Sequence, residues 1–287
     1  MTTETEQYAG LDNATRERLD ACCAILRTFR SVVVAFSAGV DSTFLLALSV
    51  RTLGPESVLA AIGISPSLAK REREAGRRMA GEIGAELVEV ETTELRDAAY
   101  AANPARRCYY CKRSLFTALN ALAGERGFEA VLCGANADDT GDFRPGIEAG
   151  EELGVRSPLL EAGLTKKDIR AASRAMGLPT WDKPAMACLA SRVPYGQAIT
   201  SEKLSRVERA EYVIRDLGFP QCRVRDHDPL ARIEVLPEAF GRIVESRQVI
   251  VESLMALGYR YVTLDLKGFR SGSMNEVLAT QTQDDGS

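Results

Sequence analysis

Three sets of residues in this 287-residue chain have the types and spacing to do chemistry. The first is Ser37-Ala38-Gly39-Val40-Asp41-Ser42. Small residues let a backbone approach an anion closely. Exposed N–H groups at a helix start, together with the helix dipole, favour negative charge there. The hydroxyls of Ser37 and Ser42 can donate as well. The Gly-Lys-Ser/Thr of a Walker loop is absent, so this is a different kind of phosphate loop. The same residues also suit an ordinary strand-to-helix turn with Ser37 as the helix cap.

The second set is Cys108-Tyr-Tyr-Cys111 with a separate Cys188. A C-x-x-C serves redox, zinc or cluster chemistry. Three thiolates suit an iron–sulfur cube with one iron left open, although four is the usual number. Arg106, Arg107, Lys112 and Arg192 flank these cysteines and would favour thiolates over inert thiols. Two half-buried helix cysteines and an unrelated loop cysteine is the plainer alternative. Cys222 is a distant candidate for a fourth ligand. The third set is Arg223, Arg225 and Arg270, with Glu211 and Glu234 nearby in the pattern. Residues 223 and 225 lie two apart on an expected strand and share a face. Paired guanidinium forks suit a phosphate or carboxylate, or else simply a solvated strand face.

These residues must be positioned by regular elements. Residues 13–30 are expected to form an amphipathic helix and 31–36 a buried β-branched strand. Helices are expected at 42–53, 67–83, near 94–101, at 109–126 and at 165–176, with strands at 57–64, 86–90 and 129–133. That alternation implies a mostly parallel sheet covered by helices on both faces. Residues 177–199 carry three prolines and no periodicity, and a loop of that length is usually functional or a linker. A helix at 201–217, strands at 222–226 and 231–236, a helix at 237–257 and a strand at 261–266 follow. The expected domains are residues 1–180, a functional loop 181–199 carrying Cys188, and a small α+β domain 200–287.

Composition narrows the classes. Hydrophobic residues make up 45% and charged residues 26%, an ordinary globular mixture. A net charge of -4 argues against nucleic acid as the main partner, though a local basic patch could still bind it. No apolar run reaches membrane-spanning length, and the polar, acidic N-terminus is neither a secretory signal nor a transit peptide. Seven cysteines without a disulfide spacing point to the reducing cytoplasm. Cys22, Cys23 and Cys133 are expected to be small core residues. The single histidine, His227, excludes a two-histidine zinc motif, and it is assigned no role.

Residues 37–42 resemble the SGGxDS pyrophosphate loop of the PP-loop ATP pyrophosphatases, with Ala38 where glycine is usual. Alanine permits close approach but disfavours a positive φ. Gly134-Ala135-Asn136-Ala137-Asp138-Asp139 resembles the GxNxDD segment of the same proteins, which implies that Gly134 and Asp138 stand beside the nucleotide. Asp138 and Asp139 would equally suit a helix N-terminus. Arg107-Cys-Tyr-Tyr-Cys-Lys112, Trp181-Asp-Lys-Pro184 and Ala187-Cys-Leu-Ala-Ser-Arg-Val-Pro-Tyr-Gly196 resemble the LarE sulfur transferases. So do Arg223-Val-Arg225 and Lys267-Gly-Phe-Arg-Ser-Gly-Ser273, which extends the likeness over residues 31–275.

The resemblance implies a doubly wound, adenine nucleotide alpha hydrolase-like PP-loop domain with a smaller C-terminal α+β domain. LarE proteins make the thiocarboxylates of the nickel-pincer nucleotide, the lactate racemase cofactor, from a pyridinium dicarboxylate mononucleotide. Some sacrifice a cysteine sulfur. Three-cysteine members hold a 4Fe–4S cluster, which implies Cys108, Cys111 and Cys188 as ligands. Substrate carboxylate would attack the α-phosphorus of ATP, with Ser37, Ala38, Gly39, Val40, Asp41 and Ser42 positioning pyrophosphate and Mg2+ offsetting charge. Sulfur, from Cys188 or from a sulfide held by the cluster, would then displace AMP. Cys188, Asp41 and Arg192 are the expected catalytic residues. Ser191, Arg192, Glu211, Arg223, Arg225 and Arg270 are expected to seat the substrate. A homo-oligomer is expected. A PP-loop tRNA 2-thiolation enzyme and a non-catalytic nucleotide- or cluster-binding regulator are the alternative functions.

Overall fold

The computed structural model describes residues 10–141, 144–184, 187–270 and 274. Ser271, Gly272 and Ser273 of the last motif, and Asn275 beyond it, lie outside the described residues. The chain divides into two compact units, one of Met1–Glu94 with Cys108–Met186 and one of Leu95–Arg107 with Ala187–Ser287.

The first unit is α/β. After α1 (Asn13–Leu26), β1 (Val32–Ala35) leads into α2 (Val40–Leu53), β2 (Val58–Ile64) into α3 (Lys70–Ile83), and β3 (Glu86–Glu91) follows. Then come α4 (Arg107–Arg126), β4 (Ala130–Leu132), α5 (Pro145–Glu152), α6 (Pro158–Glu161) and α7 (Lys166–Ala175). The four strands form one parallel sheet in the order β3-β2-β1-β4. All four residues of β1 are buried, as a strand covered on both faces requires. Val32 and Val34 pack with Leu26, Phe44, Leu45 and Ile169 from α1, α2 and α7. Val33 and Ala35 pack with Phe116, Leu119 and Ala123 of α4. Alternate side chains thus face opposite layers, and the end of β1 is fixed from both sides.

The second unit holds α8 (Ser201–Asp216), β5 (Cys222–Asp226), β6 (Leu230–Val235), α9 (Phe240–Glu245), α10 (Arg247–Ala256) and β7 (Tyr261–Leu264). Its sheet has the order β5-β6-β7, antiparallel then parallel. Its core includes Ile214, Phe219, Val224, Ile233 and Leu254. Among the described residues no helix is long and apolar enough to cross a membrane.

Two expectations about elements need correction. The single helix expected over 237–257 is a 3-10 turn, Pro237–Ala239, followed by two helices that part at Ser246. The Ser246 hydroxyl donates to the Arg242 carbonyl at 3.1 Å, the local bond by which serine competes with helix continuation. Helices α5 and α6 were not expected. Each starts at a proline and is too short to show a helical period in the sequence.

On the exposed edge of the first unit, Glu89 takes bidentate bonds from Arg73 (2.8 and 2.5 Å) and Arg77 (2.7 and 2.8 Å). Those bonds, from Arg73 first and Arg77 second, hold the Glu89 carboxyl down at about 2. The contribution to stability is therefore complete above the ordinary glutamate value of 4.5 and is lost as pH falls through about 2. Glu89→Gln is expected to lower the chemical-denaturation midpoint at pH 7 and to leave it unchanged near pH 2. An equal loss at both values would show that the ion pair is not its source.

Candidate functional site

In the first unit, the site grows from the C-terminal end of β1. The cap position of α2 is Gly39, and no side chain caps it. Ser37 is not the helix cap that the plainer sequence reading allowed. Its hydroxyl instead lies 3.0 Å from that of Ser42, whose oxygen also accepts the Ser37 N–H at 3.2 Å. The first-turn N–H groups of α2 thus meet no side-chain acceptor at the cap, the arrangement that favours an anion. Ala38 takes φ +53, the left-handed region that alanine disfavours. That conformation costs about 1–2 kcal/mol for a residue with a Cβ.

Gly134 is set against this helix start. A Cβ there would lie 3.0 Å from the Ser42 nitrogen and 3.2 Å from the Asp41 carbonyl carbon, so a side chain would push the two motifs apart by a few tenths of an ångström. Asn136 and the two aspartates that follow organise the second loop. The Asn136 side chain accepts the Asp138 N–H at 3.0 Å, and Asp139 accepts the Asn136 N–H at 3.0 Å. Asp138 accepts the N–H of Lys166, the first residue of α7, at 2.7 Å, and Arg144 pairs with Asp139 at 3.2 Å.

Two lysines that the sequence reading did not single out are bonded to the loop. The Lys166 ammonium is ion-paired with Asp41. The Lys183 ammonium donates to the Ala38 carbonyl at 3.1 Å and to Glu72 at 2.7 Å. Arg170 of α7 holds the Lys183 segment by donating to the carbonyls of Trp181 (2.7 Å) and Lys183 (2.9 Å). Lys183 lay inside the Trp-Asp-Lys-Pro motif, which was the available signal. Nothing distinguished Lys166 from a surface lysine. Asp41 Oδ1 is buried with no hydrogen-bond partner, an oxygen suited to a cation or to a water on one.

Cys108 is exposed and Cys111 half-buried near the start of α4, three residues apart and therefore on one face. That spacing fits two ligands of a metal centre. Cys188 is exposed and belongs to the second unit. Among the described residues no three His, Cys, Asp or Glu side chains form a metal-binding group. Cys222 is buried in the second unit's core, and burial pushes its thiol up to about 12.

In the second unit, Cys188 stands just before a 3-10 turn, Leu189–Arg192. Arg192 is 2% exposed and Glu211 0%. Arg192 donates to Glu211 at 2.7 and 3.2 Å, to the carbonyls of Ala187 (2.8 Å) and Cys188 (3.2 Å), and to the Ser191 hydroxyl (2.8 Å). Burial opposes its charge, but Glu211 outweighs burial and holds Arg192 above the ordinary arginine value. Arg225 grips Glu234 at 2.8 and 3.1 Å and donates to the Ser191 carbonyl at 2.6 Å. Both guanidiniums therefore pin the backbone around Cys188.

Arg223 differs from these two. It reaches Glu234 only at 3.9 Å, donates to the Arg270 carbonyl at 2.6 Å and lies over the Phe269 ring. Burial, then Arg192 and Arg225, push it down to about 10, so it carries a charge that a bound anion would stabilise. Arg270 donates to the Gly268 carbonyl at 3.1 Å. Glu211 has no exposure and also takes Arg215 at 2.6 Å and the Val224 N–H at 3.2 Å. It is a buried anchor for the arginines, not a surface that faces a ligand.

The comparisons with known proteins agree in direction. The chain is 40% identical over 256 residues to the pyridinium-3,5-bisthiocarboxylic acid mononucleotide synthase of Lactiplantibacillus plantarum, covering 89% of this chain and 92% of that protein. It is 45% identical over 248 residues to an uncharacterized protein of Synechocystis sp., covering 86% of this chain and 92% of the relative. An uncharacterized protein of Methanocaldococcus jannaschii is 30% identical over 169 residues, 59% of this chain and 66% of its own length. No family model matches the chain. The chain belongs to the LarE family of such synthases.

Removing one partner of a buried ion pair leaves an uncompensated charge, at a cost of about 3–5 kcal/mol. Glu211→Ala strands Arg192 and weakens the hold on Arg215, so a loss of that size is expected in urea-unfolding free energy. A loss under about 1 kcal/mol, the range of solvated surface pairs, would mean that water reaches the network.

Proposed function

We propose that the chain is an ATP-dependent sulfur transferase that converts the carboxylates of a pyridinium dicarboxylate mononucleotide to thiocarboxylates. The name of its relative from Lactiplantibacillus plantarum, a pyridinium-3,5-bisthiocarboxylic acid mononucleotide synthase, supports thiocarboxylate formation. The observation that carries the ATP half is the uncapped start of α2, packed against Gly134 and bonded by Lys166 and Lys183. The parallel four-stranded sheet is compatible with a PP-loop, doubly wound domain, and the reading assigns the second unit to the substrate.

On this reading Ser37, Gly39, Val40 and Ser42 present N–H and hydroxyl donors to the β- and γ-phosphates, and Gly134 and Asp138 border the nucleotide. Asp41 would hold magnesium through the oxygen that has no partner, and a bound magnesium ion offsets charge developing on the phosphates. Substrate carboxylate attacks the α-phosphorus and pyrophosphate leaves. The resulting acyl-adenylate exposes a carbonyl whose leaving group is AMP. Sulfur attack there gives the thiocarboxylate and releases AMP.

Arg223, Arg270 and Ser191 are the proposed seat of the mononucleotide's phosphate and carboxylates, with Arg192 and Arg225 fixing the loop beside them. Cys188 is the proposed point of sulfur delivery. Cys108, Cys111 and Cys188 would hold a 4Fe–4S cluster, which when bound supplies an iron free of protein ligands for external sulfide. Free thiols at all seven cysteines suit a cytoplasmic location. Exposed Val244, Val249, Met255 and Tyr261 support a homo-oligomer.

With ATP, magnesium and the mononucleotide, AMP and pyrophosphate are expected as products, and Asp41→Ala is expected to slow their release. ADP and phosphate as the main products would sink the PP-loop reading. Arg223→Ala is expected to weaken mononucleotide binding by about 1.5–3 kcal/mol and ATP binding far less, because one charge-assisted contact is lost. Equal weakening of both would move Arg223 out of the second site.

For the sulfur source, anaerobically purified protein is expected to contain iron and sulfide, to turn over repeatedly with added sulfide and to keep its chain mass. Iron-free protein that transfers sulfur once and loses the mass of hydrogen sulfide at Cys188 would overturn the cluster and leave Cys188 itself as the donor.

A further inference from the structure

The phosphate loop contains a contradiction that the proposed ATP chemistry does not resolve. Ala38 occupies φ +53 although its Cβ disfavours that region. Something must hold it there, and the Lys183 ammonium is bonded to its carbonyl at 3.1 Å. Lys183 is itself fixed at both ends. Arg170 binds its backbone carbonyl and that of Trp181, and Glu72 takes its ammonium at 2.7 Å. The Ala38 carbonyl and the Gly39 N–H belong to one planar trans peptide group, so they point in opposite directions. A cation that holds the carbonyl on one side therefore aims the N–H out of the other. That N–H belongs to the cap residue of α2, where an anion is favoured.

We propose that Lys183 is a positioning residue. By holding the Ala38 carbonyl it keeps the Ala38–Gly39 peptide turned so that the Gly39 N–H faces the nucleotide's phosphates. Lys183 acts through the backbone of residue 38 and not through direct contact with the phosphates. The proposal rests on the reading of residues 37–42 as a phosphate loop.

The distinguishing test uses glycine, which takes a positive φ without the penalty that alanine carries. MgATP binding to the full chain is measured by calorimetry for the wild type, Lys183→Met, Ala38→Gly and the double variant, with inorganic pyrophosphate as a second probe. Far-ultraviolet circular dichroism checks folding, and Lys183→Gln replaces the apolar variant if that one does not fold. Lys183→Met is expected to weaken MgATP binding about tenfold with alanine at position 38, the equivalent of the left-handed penalty. In the Ala38→Gly background the same substitution is expected to change affinity by no more than about threefold.

Equal losses in both backgrounds would show that the lysine's charge acts on the nucleotide directly, and no loss in either would show that it does not act at all. Either result overturns the proposal and leaves the phosphate-loop reading standing. A wild type that binds neither MgATP nor pyrophosphate would remove the phosphate loop itself, and the proposal with it.

Discussion

The start of α2 is a helix end with no side-chain cap, and the neighbouring parts of the first unit hold it in that state. Helix N-termini leave N–H groups without intrahelical partners, and proteins usually close them with a serine, threonine or aspartate. Here the serines bond to each other across the loop and the cap residue is glycine. Gly134 lets a second loop close against the same turn without a Cβ between them. Helix α7 then reaches the loop twice, through Lys166 to Asp41 and through Arg170 and the Trp181–Lys183 segment to Ala38. Its own start is fixed by a capping box in which Thr165 and Asp168 bond reciprocally, so Lys166 extends from a rigid base.

Much of this was legible in the sequence, for a physical reason. Buried parallel strands need continuous apolar runs, and Val32-Val33-Val34-Ala35 is one, so the sheet and the loop that leaves it could be placed before any coordinates. The glycine at 134 was legible as part of a motif, but the backbone it touches was not. What stayed hidden depends on long-range pairing. Lys166 lies 125 positions from Asp41 and Lys183 lies 145 from Ala38, and no local pattern distinguishes such lysines from solvated ones. The short helices α5 and α6 were hidden for the opposite reason, being too brief for a period to emerge.

The arginine-rich end shows the same limit more sharply. Residue type and strand alternation gave Arg223 and Arg225 one shared face and suggested one shared role. The partners across the sheet separate them. Glu234 lies opposite Arg223 in the strand register, yet its carboxylate is gripped by Arg225 from the same strand, two residues on. A carboxylate engaged in a two-pronged pair satisfies that guanidinium and leaves the other at a longer distance. Equal spacing in sequence therefore produced unequal electrostatics in the fold.

That inequality divides the work proposed for the second unit. Arg192 and Arg225 each have a buried carboxylate and a backbone carbonyl near Cys188, so their geometry is fixed. Such residues are suited to holding the Cys188 loop still, because removing either takes away both a two-pronged bond to a buried carboxylate and a bond to the loop's backbone. Arg223 has no carboxylate at close range, and burial first, then the charges of Arg192 and Arg225, lower its proton affinity. A phosphate or carboxylate brought beside it would relieve that repulsion, so the same burial that penalises the empty state strengthens the bound one. Arg223 is thus the buried arginine of this network with no carboxylate at close range, and that is the ground on which it is proposed as the contact for an anionic substrate.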